Sequence, residues 1–125
     1  MGRAAILVVD DEPDILDMLT LVLVRGGYMV VPASDGQDVI DTLDHADCEL
    51  VLTDIMTPRM DGVQLASAIR ARADLDDLPI LALSALPEAT VNTMSSHFNV
   101  VLRKPFMIED LLGHVRELLG PQEKL

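Results

Sequence analysis

Five side chains able to support charged-group chemistry each follow a short apolar run of the sequence. Asp10 and Asp11 follow AILVV, Asp54 follows LVLT, Ser84 follows ILAL, and Lys104 comes two residues after VVL. Carboxylates of this kind can ligate a hard cation or act as nucleophiles. An ammonium and a hydroxyl group can hold an oxyanion. These residue types therefore predict a polar site, provided that the fold brings the runs together.

The apolar runs are short and rich in β-branched residues, which is typical of buried strands. They predict five strands at Ala5–Val9, Tyr28–Ala33, Leu50–Thr53, Ile80–Leu83 and Val100–Leu102. Segments of helical period lie between them and predict helices at Pro13–Arg25, Asp35–Leu43, Gly62–Arg72 and Pro87–Phe98. A last helix is predicted from one apolar stripe of Ile108, Leu111, Leu112, Val115, Leu118 and Leu119.

This alternation of strands and helices indicates a parallel sheet covered by helices on both faces. Right-handed crossovers restrict the topology further, and 125 residues suffice for one buried core. We therefore expect a single doubly wound α/β domain over residues 1–125, with its core at about 4–119 and a short tail at 120–125.

In an open parallel sheet the site lies at the carboxyl ends of the strands. If the first and third strands are neighbours, Asp10 or Asp11 approaches Asp54, and two charges about 5 Å apart repel by roughly 3 kcal/mol at an effective dielectric constant of 20. Either one carboxyl holds a proton or a cation lies among them, and Mg²⁺ fits best. With Lys104 for an oxyanion and Ser84 as a donor, the set describes phosphoryl transfer to an aspartate.

The ordered motifs resemble the receiver domain of two-component response regulators, a CheY-like family. The matching segments are Asp10-Asp11 after AILVV, LTDIMTPRMDG around Asp54, ALSA around Ser84, and Lys104-Pro105-Phe106. Ser84 lies thirty residues after Asp54, and Lys104 lies twenty after Ser84. The resemblance covers about residues 4 to 119 and implies a flavodoxin-like sheet with strand order 2-1-3-4-5.

The resemblance also implies a role for each residue. Asp54 is the expected phosphoacceptor, receiving a phosphoryl group from a histidine kinase or a histidine phosphotransfer protein. Asp11, Asp54 and the carbonyl of Met56 are expected to ligate Mg²⁺, with Asp10 acting through a water. Ser84 is the expected switch hydroxyl and Lys104 the expected contact to a phosphoryl oxygen. Lys104-Pro105 is expected to be a cis peptide.

In the family the output face comprises the fourth helix, the fifth strand and the fifth helix, here about 87–119. We expect it to serve a downstream protein, a fused output domain or a phosphorylation-dependent dimer. The motifs fit a free-standing regulator as well as a receiver from a longer regulator or hybrid kinase. The domain would promote only its own phosphorylation and dephosphorylation and would not be an enzyme in the usual sense.

Charge and composition restrict the partners. Twenty-one acidic against nine basic residues give a formal charge of −12, which disfavours direct binding to nucleic acid or to an anionic membrane. No apolar stretch is long enough to span a bilayer, and the short apolar run of the first residues leads us to expect no secretion signal. The single Cys48 cannot form an internal disulfide, which is consistent with a reducing cytoplasm.

Three positions depart from the common receiver pattern. Val101 lies three residues before the lysine, where many receivers carry Tyr or Phe, so the rotation of an aromatic ring with the switch hydroxyl cannot operate. We expect altered output signalling or a role as a phosphoryl carrier. Met56 and Leu86 flank the path of the hydrolytic water in the family. Neither can orient water by hydrogen bonding, so we expect slow self-dephosphorylation.

Two alternative functions are open to the same motifs. An aspartyl-nucleophile phosphatase of the haloacid dehalogenase type would need a second Asp two residues after the nucleophile, where Met56 stands. Such enzymes also usually carry a cap, for which the chain is short. A phosphorylation-independent interaction module would have no need of the full set of three aspartates, serine and lysine.

Overall fold

The computed structural model describes residues 4–34, 36–43, 47–56, 61–86 and 97–120, with no side-chain description for residues 36 and 37. Its strands are β1 (Ala5–Val9), β2 (Met29–Ala33), β3 (Leu50–Asp54), β4 (Ile80–Ser84) and β5 (Val100–Arg103). Its helices are α1 (Pro13–Arg25), α2 (Gly36–Leu43), α3 (Gly62–Arg70) and α4 (Ile108–Leu119). Most of the helix predicted at Pro87–Phe98 lies outside the described residues, as does the tail from 121 onward.

The five strands form one parallel sheet in the order β2-β1-β3-β4-β5, as expected from the resemblance. β1 lies beside β3, with Val9 opposite Thr53. β4 separates β3 from β5, with Asp54 opposite Leu83 and Ser84 opposite Arg103. This register places the carboxyl ends of β1, β3, β4 and β5 at one edge of the sheet.

The two faces of the sheet carry separate apolar clusters, because successive side chains of a strand point to opposite faces. One cluster joins the sheet to α1 and α4 and includes Ile6, Val8, Leu50, Leu52, Leu81, Leu83, Leu19, Leu23, Leu111 and Val115. The other joins it to α2 and α3 and includes Leu7, Val9, Val51, Ile80, Val39, Leu43, Leu65 and Ile69. The helices on both faces confirm the doubly wound class.

A proline and two glycines explain where α1 begins and ends. Pro13 occupies the start of the helix, where its missing N–H costs no hydrogen bond. Gly26 is the C-cap, and Gly27 follows with φ of 99°, a conformation that favours glycine. The amide of Tyr28 still bonds to the carbonyl of Leu23 at 3.1 Å, which explains why β2 begins at Met29 and not at Tyr28 as predicted.

Other boundaries differ from the predictions by one or two residues. β3, β4 and β5 each extend one residue further, to Asp54, Ser84 and Arg103. α3 ends at Arg70 and not at Arg72, because the amide of Arg72 bonds to the carbonyl of Ile69 in a tighter turn. Among the described residues, no helix is long and apolar enough to cross a membrane.

The predicted apolar stripe of the last helix was wrong for Ile108. Its side chain is 46% exposed, whereas Leu111 and Val115 are fully buried. Ile108 is the first residue of α4 and lines a cavity beside Lys104 instead of entering the core.

Two glycines offer a matched test of this packing. A Cβ atom on Gly62 would lie 2.8 Å from Cα of Ile55 and 2.9 Å from the carbonyl oxygen of Asp54, whereas one on Gly113 would meet nothing within 4 Å. We expect Gly62→Ala to lower the free energy of unfolding by about 1–3 kcal/mol through overpacking. Gly113→Ala should raise it by up to about 1 kcal/mol through helix propensity. Urea unfolding measures both, and equal effects of the two changes would contradict this packing.

Candidate functional site

Three carboxylates meet where β1 and β3 end. Asp10, Asp11 and Asp54 each present an oxygen, and these three atoms all lie within 4.8 Å of one another. At this separation two ionised carboxylates repel by about 3 kcal/mol at an effective dielectric constant of 20, and by less at the exposed Asp11. The cluster is therefore an unfavourable arrangement for the isolated chain at neutral pH.

Asp10 is the most deeply buried member of the cluster, with 2% exposure. Its Oδ1 accepts a hydrogen bond from the Glu12 amide at 2.9 Å, and its Oδ2 is buried with no hydrogen-bond partner among the described residues. Burial is the main cause that raises the pKa of Asp10, and the charges of Asp54 and Asp11 raise it further. The Glu12 amide and the Lys104 charge act in the opposite direction. A cation beside Oδ2 would relieve both the burial cost and the repulsion.

Asp54 is the last residue of β3. Among the described residues, its carboxylate is the one that forms an ion pair with Lys104. Its Oδ2 accepts a hydrogen bond from Lys104 Nζ at 3.3 Å, and its Oδ1 accepts a long one from the Met56 amide at 3.4 Å. Thr53 Oγ1 donates to the Asp54 carbonyl at 2.9 Å, which holds the backbone at this turn. The Asp54 side chain is 14% exposed, so one side of the carboxylate is open to solvent.

Lys104 and Ser84 reach the site from the neighbouring strands. The Lys104 amide donates to the Ser84 carbonyl at 2.7 Å, which ties the end of β5 to the end of β4. The Lys104-Pro105 bond is cis, as predicted. Ser84 is buried, and its Oγ accepts a hydrogen bond from the Leu86 amide at 2.9 Å. Within the described residues the Ser84 hydroxyl makes no hydrogen bond to Asp54.

Hydrogen bonds at the start of α3 cap the helix and join it to the backbone of Ile55, the residue after Asp54. The Asp61 side chain accepts a hydrogen bond from the Gln64 amide at 2.9 Å, and the Gln64 side chain accepts one from the Asp61 amide at 3.0 Å. The Gly62 amide donates to the Ile55 carbonyl at 2.7 Å. The Asp61 to Gln64 spacing is that of a capping box and could have been recognised in the sequence.

Val101, the departure at the switch position, packs in a small apolar cluster. The cluster is built on buried Ile55 and Ala82, with partly buried Leu86 and Phe98 against it. Because Leu86 follows Ser84 by two residues, this cluster adjoins the turn that contains the Ser84 hydroxyl. Phe98 supplies the aromatic ring of the cluster, a contact that could not be predicted from its place in the sequence.

A mostly apolar cavity of about 490 Å³ lies between α1 and the segment after β5. Ile15 and Met18 line it from α1, and Pro105, Phe106 and Ile108 line it from the segment after β5. Lys104, whose ammonium group contacts Asp54, contributes to its wall as well. The sequence did not predict this cavity, because its walls come from segments about 90 residues apart.

Fold and site together define a class of protein. A doubly wound domain with three carboxylates, a lysine and a serine at the carboxyl edge of its sheet is a receiver-type signalling domain. The family model described as "Response regulator receiver domain" matches residues 6–116. The chain belongs to this family, whose members are signalling domains of two-component systems.

Similar proteins agree with this assignment. Response regulator MprA of Mycolicibacterium vanbaalenii is 36% identical over 116 residues, covering 91% of this chain and 49% of that protein. The chemotaxis response regulator CheY4 of Vibrio cholerae has a TM-score of 0.87 at 28% identity, covering 94% of this chain and all of that one. TrrA of Thermotoga maritima, in complex with Mg²⁺-BeF, has a TM-score of 0.85 at 30% identity, covering 94% and 100%. The chain spans about half the length of MprA.

The residues of the acidic cluster fit Mg²⁺, which receiver domains bind at their acidic site. Carboxylate oxygens are the ligands that this hard cation prefers, and the cluster supplies one from each of Asp10, Asp11 and Asp54. The buried Oδ2 of Asp10 lacks a hydrogen-bond partner in the described part of the chain, as expected of an oxygen that faces a cation or its bound water.

The raised pKa of Asp10 predicts how stability depends on pH without divalent cations. Between the ordinary value of 3.8 and the raised pKa of the folded state, the folded chain keeps a proton that the unfolded chain releases. This group's contribution to stability therefore falls as pH rises across that interval and is lost above the folded pKa. Asp10→Asn should therefore raise the free energy of unfolding at pH 7 by about 1–3 kcal/mol, a gain that disappears near pH 3.8.

Urea unfolding in EDTA at several pH values measures this difference. Asp17→Asn, which removes an exposed carboxylate of α1, is the control and should change stability little. A pH-independent effect of Asp10→Asn, or a loss of stability at pH 7, would contradict the assigned cause.

Proposed function

We propose that this chain is a phosphoacceptor domain in which Asp54 takes a phosphoryl group from the phosphohistidine of a kinase or phosphotransfer protein. The observation that carries the proposal is the position of the Asp54 carboxylate. It is partly exposed, lies 3.3 Å from Lys104 Nζ, and shares a cluster with the unpartnered oxygen of Asp10. The Asp54 carboxylate would thus combine a nucleophilic oxygen, a contact to the Lys104 ammonium and a place beside a bound cation.

In the proposed transfer, a carboxylate oxygen of Asp54 forms a bond to phosphorus while the bond from phosphorus to the histidine nitrogen breaks. The bonding electron pair leaves with the imidazole. The Lys104 ammonium would contact a phosphoryl oxygen, a role supported by its contact with the carboxylate that would carry the group. The Ser84 hydroxyl accepts a hydrogen bond from Leu86, so its own proton is available for donation to a second oxygen.

Asp10, Asp11, Asp54 and the Met56 carbonyl would hold Mg²⁺, with Asp10 acting through a water. When bound, the ion neutralises negative charge on the phosphoryl group and on the cluster. The Mg²⁺-BeF complex of TrrA supports this assignment by similarity. Asp10 would not contact the phosphoryl group directly, because its side chain is the most deeply buried of the three carboxylates.

Phosphorylation would change the contacts of Ser84 and Lys104 and thereby shift a pre-existing equilibrium of the loop after Ser84. The output surface would be the face that includes β5 and α4, serving a downstream protein, a fused output domain or a dimer. Val101 provides no ring to rotate with Ser84, so the signal would pass through the cluster containing Leu86 and Phe98, or the domain would act as a phosphoryl carrier. The whole chain would form one cytoplasmic receiver domain.

Intact mass after incubation with Mg²⁺ and acetyl phosphate tests the proposal. Wild type and the Asp17→Asn control should gain the mass of one phosphoryl group, whereas Asp54→Asn should gain none. The rate at which the added mass decays after the donor is removed tests the slow self-dephosphorylation expected from Met56 and Leu86. Equal labelling of Asp54→Asn, or no labelling of wild type by acetyl phosphate and a phosphorylated histidine phosphotransfer protein, would overturn the proposal.

A further inference from the structure

The guanidinium group of Arg70 lies at the opposite end of the sheet from the acidic cluster and makes five hydrogen bonds. Nη1 donates to the carbonyls of Leu78 at 2.6 Å and Asp76 at 3.1 Å. Nε and Nη2 both donate to the His97 carbonyl, at 3.3 and 3.0 Å, and Nη2 also donates to Asn99 Oδ1 at 2.8 Å. These acceptors belong to two segments that the planar, multidentate group joins, a geometry that lysine cannot reproduce.

The two joined segments lead into β4 and β5. Asp76 and Leu78 precede β4, and His97 and Asn99 precede β5. Asn99 extends the connection, because its Oδ1 also accepts the Ile80 amide at 2.8 Å while its own amide donates to the Ile80 carbonyl at 2.9 Å. Arg70 and Asn99 therefore join the first residues of both strands.

The two strands that begin beside Arg70 and Asn99 both lead to the acidic site. β4 ends in Ser84, and β5 is followed directly by Lys104. β5 has four residues, pairs with β4 alone among the described strands, and is half-buried to exposed along its length. The apolar side chains of this short edge strand reach the core clusters but are only partly buried, so hydrogen bonding at the start of the strand contributes to its register. A slip of one residue would turn every side chain to the other face.

We propose that Arg70 is a positioning residue for phosphoryl transfer, which sets the register of β5 on β4 and thereby the place of Lys104 against Asp54. The inference rests on the proposed function of Asp54. Asn99 and Lys104 are five residues apart, which corresponds to about 17 Å along a strand, so Arg70 touches no reacting atom. It acts through Asn99, β5 and the 2.7 Å bond from the Lys104 amide to the Ser84 carbonyl.

The first experiment needs no phosphorylation. Amide ¹H–¹⁵N shifts of Lys104 are compared in wild type, Arg70→Ala, Arg70→Lys and Arg72→Ala. Arg72 is the matched control, because it is an arginine two residues further on that pairs with exposed Asp74. Both Arg70 variants should shift the Lys104 amide and Arg72→Ala should not. An unmoved Lys104 amide in Arg70→Ala would overturn the inference, whatever the kinetics.

The second experiment is a double-mutant cycle on the rate of phosphorylation by acetyl phosphate, at a temperature where all variants are folded. Arg70→Ala should lower the rate about tenfold in wild type, because small misplacements of a positioned group are costly. In the Lys104→Ala background it should change the rate less than about twofold, since the two residues act through one path. Additive losses, or an unchanged rate in Arg70→Ala, would overturn the positioning role. If wild type takes up no phosphoryl group from acetyl phosphate or from a phosphorylated histidine phosphotransfer protein, the proposed function fails, and the Lys104 shifts alone decide the structural claim.

Discussion

Mutual repulsion among Asp10, Asp11 and Asp54 is the constraint on which the rest of the structure depends. The parallel register of β1 and β3 holds these carboxylates within 4.8 Å, although one of them is buried with an unpartnered oxygen. Only a well-packed sheet can hold groups in so unfavourable an arrangement. The three central strands provide that support, since the core residues on both of their faces are almost fully buried. The repulsion is in turn what a divalent cation bound among these carboxylates would relieve.

Lys104 offsets part of this charge and links the acidic cluster to the neighbouring strands. Lys104 follows the carboxyl end of β5, where its amide donates a hydrogen bond to the Ser84 carbonyl. At the amino end of β5, Asn99 accepts a hydrogen bond from Arg70. The strand β5 therefore connects the charged groups at the carboxyl ends of the strands to the hydrogen bonds of Arg70 at their amino ends. The apolar cavity of Ile15, Met18 and Phe106 adjoins this lysine and gives the site a partly apolar rim.

Much of this arrangement could be predicted from the sequence, because strand ends in a parallel sheet converge by geometry. Asp10, Asp54, Ser84 and Lys104 each follow an apolar run, and neighbouring strands bring them together. Long-range backbone contacts could not be predicted in the same way. The acceptors of Arg70 are mostly carbonyl oxygens, and the His97 carbonyl lies 27 residues away, so no residue type marks them. The exposure of Ile108 could not be predicted either, because the spacing of apolar residues in a helix does not show how far the surface that covers them extends.

Direct titration of Mg²⁺ into the metal-free protein at pH 7, followed by amide chemical shifts, tests the central claim most closely. The account predicts saturable binding of one ion, with the largest shifts at residues 10–12, 54–56 and 104, and at least about tenfold weaker binding in Asp10→Asn. Binding that is equally tight in Asp10→Asn, or the absence of saturable shifts in wild type, would contradict the account, because the carboxylate cluster would then not be a cation site.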